Sequence, residues 1–197
     1  MSELFPSHVG RQPFNDYLTD KTFLRPRDAI LFVNECISRA GDRGQITAQI
    51  VQDAEGSYSQ KRIDSLQEEW AAVYPLVAKY LRVFARRPVS IKLSELSEES
   101  IRDWAQDELL ASNTNDPVAH AATQCFIDGK LSFFKFQLVL VNALYTVGAI
   151  GVKPDSASPE YWSYFSDHVP SDGAIRPTST LKLHPVFWRA VGARPPM

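Results

Sequence analysis

Residues 23–40 have the sequence FLRPRDAILFVNECISRA, which predicts the helix around which the rest of the chain is organised. Pro26 suits the first helical position, because its missing N–H costs no hydrogen bond there and its fixed φ is already helical. Asp28 falls in the first turn, where a carboxylate meets the positive end of the helix dipole. The sequence therefore marks clearly where this helix begins.

One face of the predicted helix is apolar and is expected to be buried. Burial contributes about 1.5–3 kcal/mol for each such side chain, whereas an exposed Arg–Asp pair contributes about 0–1 kcal/mol. Arg25 and Arg27 are therefore unnecessary for folding, and they are either solvated or placed to meet a phosphate or an acidic partner. The residues of the predicted buried face are Ile30, Val33, Ile37 and Ala40, widened by Ala29, Phe32 and Cys36.

The run from Leu4-Phe5-Pro6 through FLRPRDAILFVNECISRA and ITAQIVQDAEGSYSQKRIDSLQEEW resembles the segment that follows the ATPase core in bacterial P-loop ATPases of AAA+/STAND type. The stretches VNALYTVGAIGVK and LKLHPVFWRA resemble the closing winged-helix-like portion of the same proteins. In AAA+ ATPases the helical lid carries a sensor-2 arginine that reaches the nucleotide phosphates. The resemblance implies that Arg25 or Arg27 takes this place.

The phosphate-binding loop of such an ATPase is missing from the sequence. A P-loop needs G-x-x-x-x-G-K-[S/T], because backbone N–H groups cradle the phosphates while the lysine and hydroxyl handle charge and Mg²⁺. The Gly129-Lys130 pair is followed by Leu131, and Gln124 stands where the earlier glycine is required. An apolar strand ending in Asp-Asp or Asp-Glu, which would hold Mg²⁺, is absent as well. We therefore predict that the chain has no ATPase activity of its own.

The composition is that of a soluble globular protein, with 44% hydrophobic residues and a formal net charge of −2 over 197 residues. This charge argues against a generally basic nucleic-acid binder but leaves room for a local basic patch. We expect a cytoplasmic protein, because the sequence shows neither a signal-peptide pattern nor an apolar run long enough to span a membrane. Cys36 and Cys125 are expected to be small buried hydrophobes in a reducing compartment.

A first helical unit is predicted over residues 1–88. Gly41 and Gly44 end the first main helix, and Thr47 caps the next one. Gly56-Ser57 is expected to break or bend that helix, and Arg62 to face outward beyond it. Pro75 is predicted to start the last helix of the unit, which ends before Pro88.

A second unit is predicted over residues 89–197, beginning with a strand or connector at Val89–Leu93. Pro117 opens one helix, and the apolar segment Phe133–Tyr145 forms the central one. Tyr161–Phe165 and Thr180–Leu183 are predicted as the two strands of a ribbon. The predicted fold is thus mainly α, a helical lid-like bundle followed by a winged-helix-like unit with a small β-ribbon.

Basic residues provide a possible nucleic-acid contact. The central helix offers Lys135, Gln137 and Asn142 for contact with DNA, and core packing is the alternative role of that helix. Cations at the end of the 75–88 helix either bind phosphate or complement the negative end of its dipole. The candidates are Arg82, Arg86, Arg87, Lys135, Arg176 and Lys182.

The sequence contains no recognisable catalytic or metal-binding constellation. The spacing of His8, His120, His168 and His184 does not place two metal ligands on one helical face. Asp167-His168 are neighbours, but a catalytic dyad also needs a nucleophile beside it, which the sequence does not show. A zinc site is not expected from two cysteines without a C-x-x-C motif. We predict neither a metal nor another cofactor.

These features together favour a non-catalytic binding or regulatory module. The expected partner is a protein, either an ATPase core supplied in trans or a second copy of this chain, and contact is expected at Arg25 and Arg27. The alternative is a DNA-binding accessory protein that uses a winged helix, in a setting such as phage defence. No membrane association is expected.

Overall fold

The computed structural model describes residues 4–111, 115–165, 171 and 173–195. The described chain is mainly helical with small antiparallel sheets, which confirms the predicted fold class. It divides into two compact units, one of residues 1–63 and 185–190 and one of residues 64–184 and 191–197. This division differs from the predicted boundary at residue 88, because residues after 63 pack with the second unit and a later segment returns to the first.

The first unit is a small helical bundle preceded by a hairpin. Strands β1 (His8–Val9) and β2 (Gln12–Pro13) pair antiparallel, and Gly10 turns between them with φ +62°. A side chain is strained at that φ, which explains the glycine. The helices are α1 (Phe14–Asp20), α2 (Pro26–Ala40) and α3 (Ala48–Trp70), of which α3 continues into the second unit.

Helix α2 begins at Pro26 as predicted, and Phe32, Cys36 and Ala40 of the predicted face are buried, but the face is rotated away from its two isoleucines. Ile30 and Ile37 are 60% and 47% exposed, so their predicted burial is wrong. The buried stripe has four-residue spacing and consists of Asp28, Phe32, Cys36 and Ala40. Phe32 stacks on Tyr58 of α3 with ring centroids 4.8 Å apart, and an aromatic pair of this kind removes more apolar area from water than an isoleucine does.

Helix α3 runs without interruption through Gly56 and Ser57, where a break or bend was predicted. Buried side chains line it on both sides of this point, including Val51, Ala54, Tyr58 and Ile63. Burial of these side chains stabilises the helix by more than the roughly 1 kcal/mol that a glycine costs in a helix interior.

The segment Pro185–Ala190 returns to complete the core of the first unit. Val186 and Phe187 are buried, and the Phe187 ring lies 5.8 Å from that of Phe23. The Ser59 hydroxyl donates to the Val186 carbonyl at 2.5 Å and accepts from the Ala190 N–H at 3.1 Å. These contacts fix the segment against α3.

The second unit combines three longer helices with a three-stranded sheet. In chain order its elements are α4 (Val77–Tyr80), β3 (Ser90–Lys92), α5 (Glu98–Ala105), α6 (Pro117–Phe126), α7 (Phe133–Thr146), β4 (Ile150–Lys153) and β5 (Thr180–Leu183), and helix α8 (Trp188–Val191) follows in the chain. The strands are antiparallel in the order β3, β5, β4. Leu181 of the central strand pairs with Ile91 on one side and Val152 on the other.

The structure confirms Thr180–Leu183 as a strand, but the other predicted ribbon strand is wrong. Within Tyr161–Phe165 only Tyr161 makes a ladder contact, an isolated bridge to Val152, and a turn follows it. Trp162 instead packs directly on Gly151 of β4. A Cβ added to Gly151 would lie 2.5 Å from Trp162 Cε2, so the position has room for glycine but not for a side chain. The aromatic segment therefore covers β4, and the strands beside β5 come from elsewhere in the chain.

A methyl group at Gly151 is expected to destabilise the second unit. Gly151→Ala forces Trp162 away from β4 and should lower the free energy of unfolding by about 1–3 kcal/mol in chemical denaturation. Gly56→Ala is the matched control, because no atom lies within 4 Å of its added Cβ and α3 is helical there. This control should raise stability by about 0.5–1 kcal/mol. Equal effects of the two changes would contradict the close packing of Trp162.

Candidate partner-binding site

Arg25 and Arg27 lie exposed at the start of α2. Arg25 is the residue before the helix, with φ −98° and ψ 129°, and Pro26 takes the first helical position. The Arg25 guanidinium lies 5.8 Å from the centre of the Phe23 ring. The Arg27 side chain is 61% exposed, and its Nε is 3.8 Å from Asp28 Oδ1. Neither arginine contributes its charged group to the core.

Leu24 precedes these arginines in an unusual conformation. Its φ is +56°, a left-handed value that bulky residues seldom adopt, and its side chain is 50% exposed. Backbone strain of this kind costs on the order of 1–3 kcal/mol and is concentrated at functional positions. The turn before α2 thus presents an apolar side chain and two guanidinium groups to solvent, and it does so in an unfavourable backbone conformation at Leu24.

Asp28 and Arg62 form a buried ion pair directly behind this surface. Arg62 Nη1 lies 3.4 Å from Asp28 Oδ1, and the side chains are only 3% and 1% exposed. The predicted outward orientation of Arg62 is therefore wrong, and Asp28 does more than meet the helix dipole. The Arg62 guanidinium also lies 5.4 Å from the centre of the Phe23 ring. The pair ties α2 to α3 beneath Arg25 and Arg27.

A second buried charge network centres on Glu55. Its carboxylate accepts from the Tyr17 hydroxyl at 2.6 Å and from Lys21 Nζ at 2.7 Å, and Arg189 Nε lies 3.6 Å away. Burial and the hydrogen bond to Glu55 raise the pKa of Tyr17. Lys21 Nζ also lies 4.6 Å from the centre of the Trp188 ring. Because all these groups are engaged with one another, the network holds the returning segment in place.

The residue pattern of α3 contains a signal for both buried networks. Glu55, Ser59 and Arg62 recur at helical spacing from Val51, and all four side chains are buried. A polar stripe that continues an apolar one indicates buried pairs instead of a solvated face. The partners Asp28, Lys21 and Arg189 come from distant parts of the chain, so the sequence alone does not identify them.

The predicted nucleic-acid residues are scattered over the second unit, and several are engaged with protein groups. Arg82 Nη1 lies 2.8 Å from Glu108 Oε1, Arg87 Nη1 donates to the Glu95 carbonyl at 3.3 Å, and Lys182 Nζ lies 3.3 Å from Glu160 Oε2. Arg86, Lys135 and Arg176 are exposed. The Arg86 backbone has a left-handed φ of +60°, and its N–H donates to the Gly192 carbonyl at 3.1 Å.

Helix α7 presents few polar groups that can contact DNA bases. Gln137 is buried, and its amide donates to the carbonyls of Leu93 and Leu96 at 3.2 and 3.0 Å. Lys135 is exposed beside Phe134, which is 36% exposed. A helix that reads bases needs several exposed Arg, Lys, Asn or Gln side chains, so this surface is better suited to protein contact.

The described thiols are poor candidates for nucleophiles. Cys36 is 1% exposed, and its burial raises the pKa of the thiol to about 11. Almost no thiolate is therefore present at neutral pH. Burial also raises the pKa of Cys125. The Asp167-His168 neighbours lie outside the described residues.

The described fold and surface define a helical module with an exposed basic and apolar patch at the start of α2. Residues 1–67 match a family model described as the FunZ-associated C-terminal helical domain. The matched segment spans α1, α2 and most of α3, so this part of the chain is similar to a C-terminal helical module. No curated protein and no solved structure matches the chain.

None of the described helices combines the length and apolar character that a membrane crossing requires. The resemblance to an ATPase lid stays a prediction, because the matching family model describes a helical domain without naming an ATPase.

Proposed function

We propose that the chain is a non-catalytic accessory module that regulates or assembles a larger P-loop ATPase system through protein contact. Arg25 and Arg27 are the contact residues, and the partner is an ATPase core supplied in trans or a second copy of the chain. The similarity of residues 1–67 to a C-terminal helical domain supports an accessory role. The absence of a P-loop motif from the sequence supports a role without ATP hydrolysis.

The exposure of Arg25 and Arg27 at the start of a firmly packed helix carries this proposal. Phe32, Cys36 and Ala40 are buried and anchor α2, while Arg25 and Arg27 are exposed. Arginine is the preferred residue for bidentate contact with carboxylates and phosphates. Two such groups beside the positive end of a helix dipole suit an anionic partner group.

Arg25→Ala/Arg27→Ala is expected to abolish partner binding while leaving the fold intact. The free energy of unfolding should change by less than about 1 kcal/mol, because exposed charges contribute little to stability. Affinity for a P-loop ATPase core that lacks a lid of its own, measured by calorimetry, should fall about tenfold or more. Arg11→Ala, which removes an exposed arginine from the β1–β2 turn, is the matched control and should bind normally. Unchanged affinity in the double variant would refute the assignment, and phosphate release by the chain alone would refute its non-catalytic character.

DNA binding by the second unit is the second candidate, because the order of its elements favours it. Three helices (α5 to α7) precede the antiparallel strands β4 and β5, and this order of elements supports a winged-helix-like unit. Arg176 lies exposed on the long connection between β4 and β5. A mobility shift that disappears between low and moderate salt, and that Arg176→Ala weakens, would favour this function.

A further inference from the structure

The exposed side of α2 forms a short apolar stripe. Ile30 and Ile37 lie seven residues apart, which places them on the same side of the helix, and both are about half exposed or more. Asn34 is exposed between them, and Leu24 lies just before the helix. We name these four residues, together with Arg25 and Arg27, the α2 outer face.

Within the helix, the apolar part of this face consists of two isoleucines on one side of α2. Single exposed apolar residues are normal on proteins, whereas apolar residues that repeat with helical spacing mark surfaces that pack against another helix. Ile30 and Ile37 are about 10 Å apart along the axis at about 1.5 Å per residue. The buried stripe of α2 lies elsewhere on the helix, at Phe32 and Cys36, so the outer face is a second apolar surface.

The charges around the α2 outer face are predominantly positive. Arg25 and Arg27 lie exposed at its beginning, and Asp42 and Arg43 lie exposed just after the helix. Arg39 is on the other side of α2, where its guanidinium donates to the Ser57 hydroxyl of α3 at 2.9 Å. The four charged residues at the two ends of the outer face sum to a formal charge of +2, although the whole chain carries −2. Asp28 also lies 3.8 Å from Arg27 Nε, but its charge is matched by that of the buried Arg62, as the charge of Glu35 is matched by Lys61, so the two α2 carboxylates leave the sum unchanged.

We propose that the α2 outer face binds an amphipathic helix of another protein, one whose apolar stripe is flanked by glutamate or aspartate. This inference rests on the proposed function and narrows its partner. Helices dock on one another through apolar residues at spacings of three, four and seven, and Ile30 and Ile37 provide the spacing of seven. Carboxylates of the partner bind Arg25 and Arg27 with charge-assisted hydrogen bonds.

Charge complementarity favours such an acidic partner over a second copy of the chain. In a parallel pair of α2 helices Arg27 lies opposite Arg27. In an antiparallel pair Arg25 and Arg27 lie opposite the end that carries Arg43. Either arrangement brings a surface of charge +2 against an identical one, and like charges across an interface oppose association.

A designed peptide tests the proposal directly. The probe is a capped helical peptide of about three heptads with leucine and isoleucine on one face and glutamate beside them, and a second peptide carries lysine in place of glutamate. Titrated into the isotopically labelled chain, the acidic peptide should shift the amide resonances of residues 24–41. It should bind at least about tenfold more tightly than the lysine peptide, and added salt should narrow this difference.

Matched variants locate the binding surface. Ile30→Asp/Ile37→Asp should abolish binding of the acidic peptide, whereas Ile127→Asp, at an isoleucine that is 65% exposed in the second unit, should leave it unchanged. Arg25→Ala/Arg27→Ala should weaken the acidic peptide about tenfold and bring it close to the lysine peptide, while Arg11→Ala should not.

Three results would overturn the proposal. They are equal binding of both peptides, resonance shifts outside residues 24–41, and a dimer in sedimentation experiments that Ile30→Asp/Ile37→Asp dissociates. If one of these results occurs while Arg25→Ala/Arg27→Ala still weakens binding to the ATPase core, only the acidic helical partner is refuted. If Arg25→Ala/Arg27→Ala binds the ATPase core with unchanged affinity, the proposed function itself is refuted.

Discussion

Replacing Arg62 with alanine is expected to lower the free energy of unfolding by about 3–5 kcal/mol. The change removes the buried cation that lies 3.4 Å from Asp28 Oδ1 and leaves the exposed Arg27, whose Nε is 3.8 Å from the same oxygen, beside that charge. An exposed cation compensates a buried carboxylate poorly, and Asp28 Oδ2 has no hydrogen-bond partner among the described residues. Tyr58 is buried near the same site. Its burial and the negative charge of Asp28 raise the pKa of its hydroxyl.

Chemical denaturation of three further variants separates this effect from ordinary truncation. Lys61→Ala removes the neighbouring cation, whose side chain is 54% exposed, and should cost about 0–1 kcal/mol. Asp28→Asn/Arg62→Met removes both charges and should recover at least about 1 kcal/mol of the loss, because no buried charge is then left unpaired. Loss of less than about 1 kcal/mol in Arg62→Ala would show that the pair is solvated.

Features governed by neighbouring residues could be predicted from the sequence. Pro26 begins α2 and Pro117 begins α6, as predicted from the preference of proline for the first helical turn. Thr47 was predicted to cap α3, and its hydroxyl accepts from the Ile50 N–H at 3.3 Å. The exposure of Arg25 and Arg27 follows from similar reasoning, since burial of apolar side chains stabilises a helix more than exposed charges do.

Features that depend on distant contacts could not be predicted in this way. Helix α2 has two apolar stripes, and only the position of Tyr58 in α3 decides that Phe32 is buried and Ile30 is not. The strands beside β5 come from segments about 30 and 90 residues earlier in the chain. Local residue spacing does not show which of these distant segments compensate the entropy of loop closure and pair with β5. Burial of Arg62 depends on Asp28 in the same way.

The candidate site was predicted in part. Local sequence placed two exposed arginines at the start of α2, but it assigned Ile30 and Ile37 to the core. Their exposure adds apolar side chains to a site that was expected to offer two arginines to a phosphate or an acidic partner. The proposed helical partner depends on this mixed apolar and basic surface.

Asp116→Ala is expected to destabilise the second unit by about 3–6 kcal/mol. The Asp116 side chain is buried and caps α6 by accepting from the N–H groups of Val118 and Ala119 at 3.0 and 2.9 Å. It also accepts from the Leu76 N–H at 3.0 Å and from the Tyr80 hydroxyl at 2.5 Å. Burial and the hydrogen bond to Asp116 raise the pKa of Tyr80, which marks the same close contact.

Each hydrogen-bond donor that loses Asp116 as its acceptor adds to the destabilisation. Loss of the cap costs about 1 kcal/mol, and an unsatisfied buried N–H or hydroxyl costs about 1–3 kcal/mol. Tyr80→Phe in the Asp116→Ala background removes one of these orphaned groups and should recover about 1 kcal/mol. Asp128→Ala is the control, because its carboxylate is 34% exposed and pairs with Lys130, so the expected change is about 0–1 kcal/mol.

These variants also test why residues 64–88 pack with the second unit. Asp116 connects the segment of Leu76 and Tyr80 to the start of α6, 36 to 40 residues later in the chain. If that connection holds the segment, hydrogen exchange in Asp116→Ala should accelerate at residues 76–84 as well as at the start of α6. Acceleration confined to α6 would mean that apolar packing of Val77, Leu81 and Phe84 holds the segment without the carboxylate.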